Sequence, residues 1–167
     1  MASPTQFNSD VYVNGSLGCK TFSPPASSIT NAAVVALAGI AASKLEHQYQ
    51  RLFTQVHGSS ATAERRVIHT VVGATGDIVS MRSGNVVAAT GDSTVTIDLK
   101  KNGTTVLTAT TQLDSGNAAY SWESAAGFTS TSLTQDDVLE IVQTVSAGTG
   151  TLPQGVYVEL VIREDAQ

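Results

Sequence analysis

The chain of 167 residues has little cysteine, few charges and few aromatic residues, and the first two shortages each exclude a class of protein. The single cysteine, Cys19, excludes an intrachain disulfide framework and a metal site built from several cysteines. Lys and Arg number 9 against 14 Asp and Glu, and a nucleic-acid surface would need clustered basic residues. We therefore expect no nucleic-acid partner.

Long apolar runs are also missing from the sequence. The longest apolar-rich stretch, residues 32–42, is far shorter than the ~20 residues that a membrane span requires, so we expect no membrane partner. The opening residues 1–6 show neither the basic nor the apolar segment of a secretory signal, which predicts synthesis in a cytoplasm. Ser and Thr replace the missing residue types. Because Thr, Val and Ile favour pleated strands, this composition indicates an all-β domain.

Two unlike parts follow one another along the chain. Residues 1–60 are predicted to form an extended N-terminal arm, and residues 61–167 a β-sandwich domain. Within the arm we expect a short hairpin or ribbon over 7–22, which two strands alone would leave marginal in water. A stiff linker follows at Pro24-Pro25, since proline fixes φ and restricts the residue before it.

A short helix is predicted in the arm from about Ile29, where Ser27 or Ser28 can cap it. Gly39 weakens this helix by about 1 kcal/mol relative to Ala, so two short pieces fit the pattern equally well. A helix with so thin an apolar stripe is not stable alone and needs a partner. The stripe recurs at spacings of three and four and consists of Val34, Leu37, Ala41 and Leu45.

The domain shows strand and turn signals at a spacing of ~10 residues, which predicts a β-sandwich that is jelly-roll-like or immunoglobulin-like. Asn102-Gly103 is the strongest hairpin turn, because a type I′ turn needs positive φ at both central residues. Strands are predicted at about eight places, namely residues 66–72, 77–82, 85–89, 94–99, 105–113, 120–123, 138–145 and 156–163.

Two further patterns lie in the domain. Two Ala-Thr-Gly-Asp segments, 74–77 and 89–92, are both interpreted as tight turns with Gly at positive φ. Alternation of apolar and polar residues predicts which side chains of two strands face the core. These inward residues are Val95, Ile97 and Leu99 in one strand and Val156, Val158, Leu160 and Ile162 in the other.

No group of residues forms a catalytic, cofactor or metal signature. His47, His57 and His69 have no helical pairing and no neighbouring cluster of ligands, so packed or solvated rings are expected. The acidic pairs 136–137 and 164–165 are of the type that hydrolyses glycosides, but both flank strands in polar surroundings. We therefore predict that the protein is not an enzyme and assign no catalytic residue, cofactor or metal ligand.

Several segments carry a resemblance to known proteins: Asp10-Val11-Tyr12-Val13-Asn14-Gly15, Lys20-Thr21-Phe22, Pro25, Ile40-Ala41-Ala42-Ser43-Lys44-Leu45-Glu46-His47, Ile97-Asp98-Leu99-Lys100-Lys101-Asn102-Gly103 and Leu113-Asp114-Ser115-Gly116-Asn117. They resemble tailed-bacteriophage virion proteins, most of all the capsid decoration (cement) and head-fibre proteins. The resemblance covers most of the chain and brings no catalytic residue with it. It implies a homotrimer on the capsid exterior that bridges neighbouring major capsid proteins.

The arm and the resemblance together predict a structural virion protein, made in the host cytoplasm, that decorates and stabilises the phage capsid. Its arm would bind the exterior of major capsid proteins, and extended edge strands could add to a partner's sheet. An alternative is a phage fibre or tail-associated protein that binds host-surface glycans through the β-domain, with Tyr120 and Trp122 as the sugar surface. The predicted arm interface consists of Val11, Val13, Phe22, Val34, Leu37, Ile40 and Leu45.

Overall fold

Two antiparallel sheets of five strands each make up the described part of the chain. The computed structural model describes residues 46–165, and within them there is no α-helix, so none that could cross a membrane. The predicted all-β domain is confirmed. The strands are β1 (His47–Thr54), β2 (Glu64–Thr70), β3 (Thr75–Gly84), β4 (Thr94–Lys101), β5 (Thr104–Thr105), β6 (Thr111–Leu113), β7 (Trp122–Ser124), β8 (Ser132–Thr134), β9 (Val138–Ser146) and β10 (Tyr157–Glu164).

Strands that follow one another in sequence at the start of the domain lie on opposite sheets. Sheet 1 has the order β1-β10-β3, and both β7 and β8 pair with the far side of β3. Sheet 2 has the order β2-β9-β4, and both β5 and β6 pair with the far side of β4. Strands β1 to β4 therefore alternate between the sheets. The two sheets share one core cluster, which is consistent with a β-sandwich.

The core is filled by alternate residues of strands from both sheets. Successive side chains of a strand point to opposite faces, so one face of each strand lies against the other sheet. Each apolar side chain removed from water in this way stabilises the fold by roughly 1.5–3 kcal/mol. The predicted inward faces are confirmed, because every predicted residue is at most 1% exposed: Val95, Ile97, Leu99, Val156, Val158, Leu160 and Ile162.

The domain begins earlier than the sequence indicated. Residues 47–54 were predicted to belong to the arm, but they form β1, which pairs with β10 along its whole length. The boundary predicted at residue 60 is therefore too late. The reason is the composition of β1, whose inward residues include Tyr49 and Arg51 and only one fully buried apolar side chain, Phe53. So weak an alternation does not stand out as a strand.

Three strand predictions were wrong in detail. Residues 85–89 form no strand, and only a single bridge joins Val87 to Gln154. The predicted strand 105–113 is divided into β5 and β6, because the segment between them turns to form another single bridge at Leu107. The short strand β8 was not predicted, since it contributes only one buried side chain, Leu133, to the core.

The turn predictions had mixed outcomes. Asn102 and Gly103 have φ of 50° and 81°, as a type I′ turn requires, and Gly91 has φ of 63°. The first Ala-Thr-Gly-Asp segment is not a tight turn, because Thr75 opens β3 and Gly76 pairs with Glu164 inside the sheet. A Cβ on this glycine would lie 2.4 Å from a carbonyl oxygen of β10. It is needed for close packing of strands rather than for positive φ.

Candidate functional site

Two aromatic rings meet at one end of the outer face of sheet 1. Gly84 of β3 pairs with Trp122 of β7 on one side and with Tyr157 of β10 on the other. Because the glycine has no side chain, the two rings pack edge to face across it, with centroids 4.8 Å apart and planes at 80°. A Cβ on Gly84 would lie 2.6 Å from the tyrosine ring. The glycine therefore permits this aromatic pair.

A charged network supports the tryptophan. The guanidinium carbon of Arg82 lies 4.1 Å from the centroid of the Trp122 ring, within cation–π range. Its Nε donates a hydrogen bond to Glu159 Oε1 at 2.6 Å, and Gln50 donates a second hydrogen bond to the same carboxylate. The hydrogen bond from Arg82 lowers the pKa of Glu159, although burial opposes it. Residues from β1, β3 and β10 thus position the ring.

Tyr120 stands next to this pair. It is 70% exposed and has φ of 60°, a left-handed conformation that costs a non-glycine residue roughly 1–2 kcal/mol. Its N–H donates to the Asn85 carbonyl oxygen at 2.8 Å, and the Tyr157 hydroxyl lies 3.5 Å from the Ser121 carbonyl oxygen. Burial, and then the nearby Tyr120, raise the pKa of Tyr157.

We call Tyr120, Trp122, Tyr157 and Arg82 the aromatic platform. This group contains the two residues predicted as a sugar surface, and the structure adds two that the sequence did not reveal. Trp122 is 41% exposed although its ring contacts both Arg82 and Tyr157. Flat, exposed rings of this kind can stack on apolar faces, and their polar edges can form hydrogen bonds.

An open polar cleft of about 410 Å³ lies between β6 and β7. Asp114 Oδ1 accepts a hydrogen bond from Gly116 N at 2.8 Å, and Glu123 Oε2 accepts one from Asn117 Nδ2 at 3.2 Å. The second oxygen of each carboxylate has no partner among residues 46–165. The lining residues that can donate or accept hydrogen bonds include Thr111, Gln112, Asp114, Asn117, Glu123 and Ser124. We call this surface the polar cleft.

The acidic pairs singled out in the sequence serve the fold. Asp137 accepts hydrogen bonds from Thr134 N at 2.8 Å and from Asn102 Nδ2 at 2.6 Å, so it connects two turns. Burial would raise the pKa of Asp137, but these hydrogen bonds outweigh it and lower the pKa. At the other pair, Asp165 Oδ2 accepts a hydrogen bond from Thr75 Oγ1 at 2.7 Å.

A buried histidine and carboxylate connect the two sheets. The distance between Nε2 of His69 on β2 and Oε1 of Glu164 on β10 is 2.5 Å, and both side chains are 3% exposed. Arg51 Nε donates to His69 Nδ1 at 3.0 Å, so the ring proton is on Nε2. His69 is therefore a packed ring, one of the two outcomes expected. Within residues 46–165, no group of three His, Cys, Asp or Glu side chains is placed to hold a metal ion.

Sequence reasoning missed most of the residues around the platform and the cleft. Arg82 and Tyr157 reach Trp122 only through strand pairing, and such contacts between distant segments leave no local pattern. Gly84 gave no signal, because it fell between the predicted strands 77–82 and 85–89, whereas the structure makes it the last residue of β3. Asp114 and Asn117 belonged to a segment that resembles phage β-domains, but a site was not assigned to them.

The predicted capsid interface concerns a different part of the chain. The hairpin, the Pro-Pro linker and the short helix of the arm all fall outside the described residues 46–165. The interface therefore stays a prediction. The same is true of its residues, which are Val11, Val13, Phe22, Val34, Leu37, Ile40 and Leu45.

Comparison with known proteins does not identify a family. No protein-family model, no curated protein and no solved structure matches this chain.

Proposed function

We propose that this chain is a structural virion protein that decorates and stabilises a phage capsid. It sits on the capsid exterior as a homotrimer and binds major capsid proteins through its N-terminal arm. The observation that carries this proposal is the difference between the two parts of the chain. Residues 46–165 contain a core cluster drawn from both sheets, whereas the arm has apolar residues at strand-like and helix-like spacings. Those apolar residues are what a partner would bury.

The proposed stabilisation requires only non-covalent contacts. Each apolar side chain of the arm buried on a capsid protein contributes roughly 1.5–3 kcal/mol. Main-chain hydrogen bonds to a sheet edge add affinity. Three arms acting from one trimer increase the effective concentration of the second and third contacts. Together these contacts resist expansion of the shell.

We infer that the sandwich is a jelly roll rather than an immunoglobulin-like fold. Six antiparallel pairings support this: β1 with β10, β2 with β9, β3 with both β7 and β8, and β4 with both β5 and β6. They are the pairings of one long hairpin folded over on itself, so that its successive segments fall on alternate sheets. Jelly rolls of eight strands occur in viral capsid proteins and in lectin domains. This topology is therefore compatible with a virion protein.

Deletion of residues 1–45 tests the capsid function. Because β1 begins at His47, the truncated chain keeps every strand of both sheets and should stay soluble and folded. We expect it to lose binding to heads assembled from the partner capsid protein, measured by co-sedimentation. Full-length protein with Trp122→Ala serves as the control and should bind heads normally. Normal decoration by the truncated chain would refute the proposal, as would a full-length protein that stays monomeric in solution.

A second candidate function is glycan binding by a phage fibre or tail-associated protein. The aromatic platform favours it, because an exposed tryptophan held by Arg82 and Tyr157 next to an exposed Tyr120 offers stacking surfaces. Trp122→Ala should abolish binding on a glycan array, whereas Leu52→Ala, an exposed residue of β1 on the same sheet, should not. Equal binding by both variants would exclude the platform as a glycan site.

A further inference from the structure

The polar cleft and the aromatic platform are adjacent parts of one surface around strand β7. Trp122 and Glu123 are consecutive residues, so their side chains lie on opposite sides of the strand. Trp122 belongs to the platform and Glu123 to the cleft. Ser124, two residues beyond Trp122 along the same strand, also lines the cleft. A ligand along the edge of β7 would contact both.

The loop before β7 joins the same two surfaces. Asp114 and Asn117 at its start line the cleft, and Tyr120 near its end belongs to the platform. Among residues 46–165, β7 pairs only with β3, so its other edge faces the cleft side. The loop and the strand edge thus present stacking groups and hydrogen-bonding groups within a few residues of each other.

The charges of the cleft decide which ligand it suits. The cleft is lined by two carboxylates and by amide and hydroxyl groups, and none of its lining residues is Lys, Arg or His. Carboxylate and amide oxygens accept hydrogen bonds from hydroxyl groups, whereas an anionic ligand would be repelled. A volume of about 410 Å³ is in the range of small-molecule sites, which is roughly 300–1,000 Å³.

We infer that the polar cleft is the hydrogen-bonding half of a carbohydrate site whose stacking half is the aromatic platform, and that this site selects uncharged sugars over acidic ones. This inference rests on the glycan-binding function proposed above and adds its ligand class. Asp114 and Glu123 accept hydrogen bonds from sugar hydroxyls through the carboxylate oxygens that have no partner among residues 46–165. Trp122 and Tyr120 contact the apolar face of a sugar ring.

The test is a glycan array at low salt with the full-length protein. Its glycans end either in neutral sugars (galactose, glucose, mannose or N-acetylglucosamine) or in acidic sugars (sialic acid or glucuronic acid). We expect neutral glycans to bind at least about tenfold more tightly than acidic ones. Glu123→Gln and Asp114→Asn should weaken neutral binding and reduce this ratio severalfold. Glu140→Gln, which removes an equal charge from the opposite sheet, should leave the ratio unchanged.

The possible results separate the two proposals. The ratio of the two affinities does not depend on how much of a variant is correctly folded, so a partly unfolded preparation still gives an answer. If no glycan of either kind binds, both the glycan function and this inference fail. If glycans bind and Trp122→Ala abolishes binding, but the cleft variants keep the wild-type ratio, only the inference fails. A preference for acidic glycans would also overturn it.

Discussion

Replacing Glu164 by Gln should destabilise the domain much more than replacing Glu140, whose partner is an exposed arginine. The carboxylate of Glu164 is 3% exposed and accepts hydrogen bonds from His69 Nε2 at 2.5 Å, Gly73 N at 2.7 Å and Val72 N at 3.2 Å. Gln keeps one acceptor oxygen and turns an NH2 group toward donors. Leaving a buried hydrogen-bonding group unsatisfied costs about 1–3 kcal/mol, and more where the lost acceptor was charged, so we expect a loss of about 3 kcal/mol.

Urea unfolding measures this loss. The only tryptophan of the chain, Trp122, reports the transition by fluorescence. With an m-value of about 1–3 kcal/mol per molar urea, the expected midpoint falls by about 2 M. Glu140→Gln is the matched control, because Glu140 pairs with the exposed Arg65 at 2.8 Å and such surface pairs contribute about 0–1 kcal/mol. Equal midpoints for the two variants would refute the reasoning.

The pH dependence of the same variant gives a second check. Burial would raise the pKa of Glu164, but hydrogen bonds from His69, Gly73 and Val72 outweigh it, and the pKa lies below its ordinary value of 4.5. A lowered folded-state pKa contributes stability above the unfolded value and loses it as the pH falls through the folded value. The difference between wild type and Glu164→Gln should therefore shrink as the pH falls below about 4.5. A constant difference down to unfolding would contradict this.

Two further predictions concern packing. Gly150→Ala should lower the free energy of unfolding by more than about 2 kcal/mol, because the new Cβ would lie 1.8 Å from the Thr90 carbonyl oxygen. At Gly103 a new Cβ would have nothing within 4 Å, so Gly103→Ala should cost only the roughly 1–2 kcal/mol of its positive φ. Thermal unfolding compares them, and equal losses would contradict the packing argument. Leu160→Ala in the core should cost about 2–5 kcal/mol and Leu52→Ala, 60% exposed, much less, as urea midpoints would show.

Features that depend on neighbouring residues could be predicted from the sequence. The inward faces of β4 and β10 follow from alternation, because a strand turns successive side chains to opposite faces whatever it pairs with. The turn at Asn102-Gly103 follows from its own φ preferences, and the structure has the positive φ values expected. Gly76 was predicted to lie in a tight turn but pairs within the sheet instead. Its role could not be predicted from nearby residues, because it depends on a strand almost 90 residues away.

The candidate site depended on contacts between distant segments. Gly84 lies between Trp122 and Tyr157, and His69 meets Glu164, only because strands from different parts of the chain pair or face each other. Strands pair through main-chain N–H and C=O groups, and every residue except proline carries both. The sequence pattern therefore does not indicate which strand pairs with which.

The sequence by itself determined that the domain is all-β, which residues of its long strands face inward, and which two residues form its hairpin turn with positive φ. Only the tertiary structure decided that β1 belongs to the domain, that a glycine brings two aromatic rings together, and that one buried carboxylate connects two sheets. The physical reason is range. Side-chain alternation and φ preference act within a few residues, whereas strand pairing and burial depend on which distant segments remove each other from water.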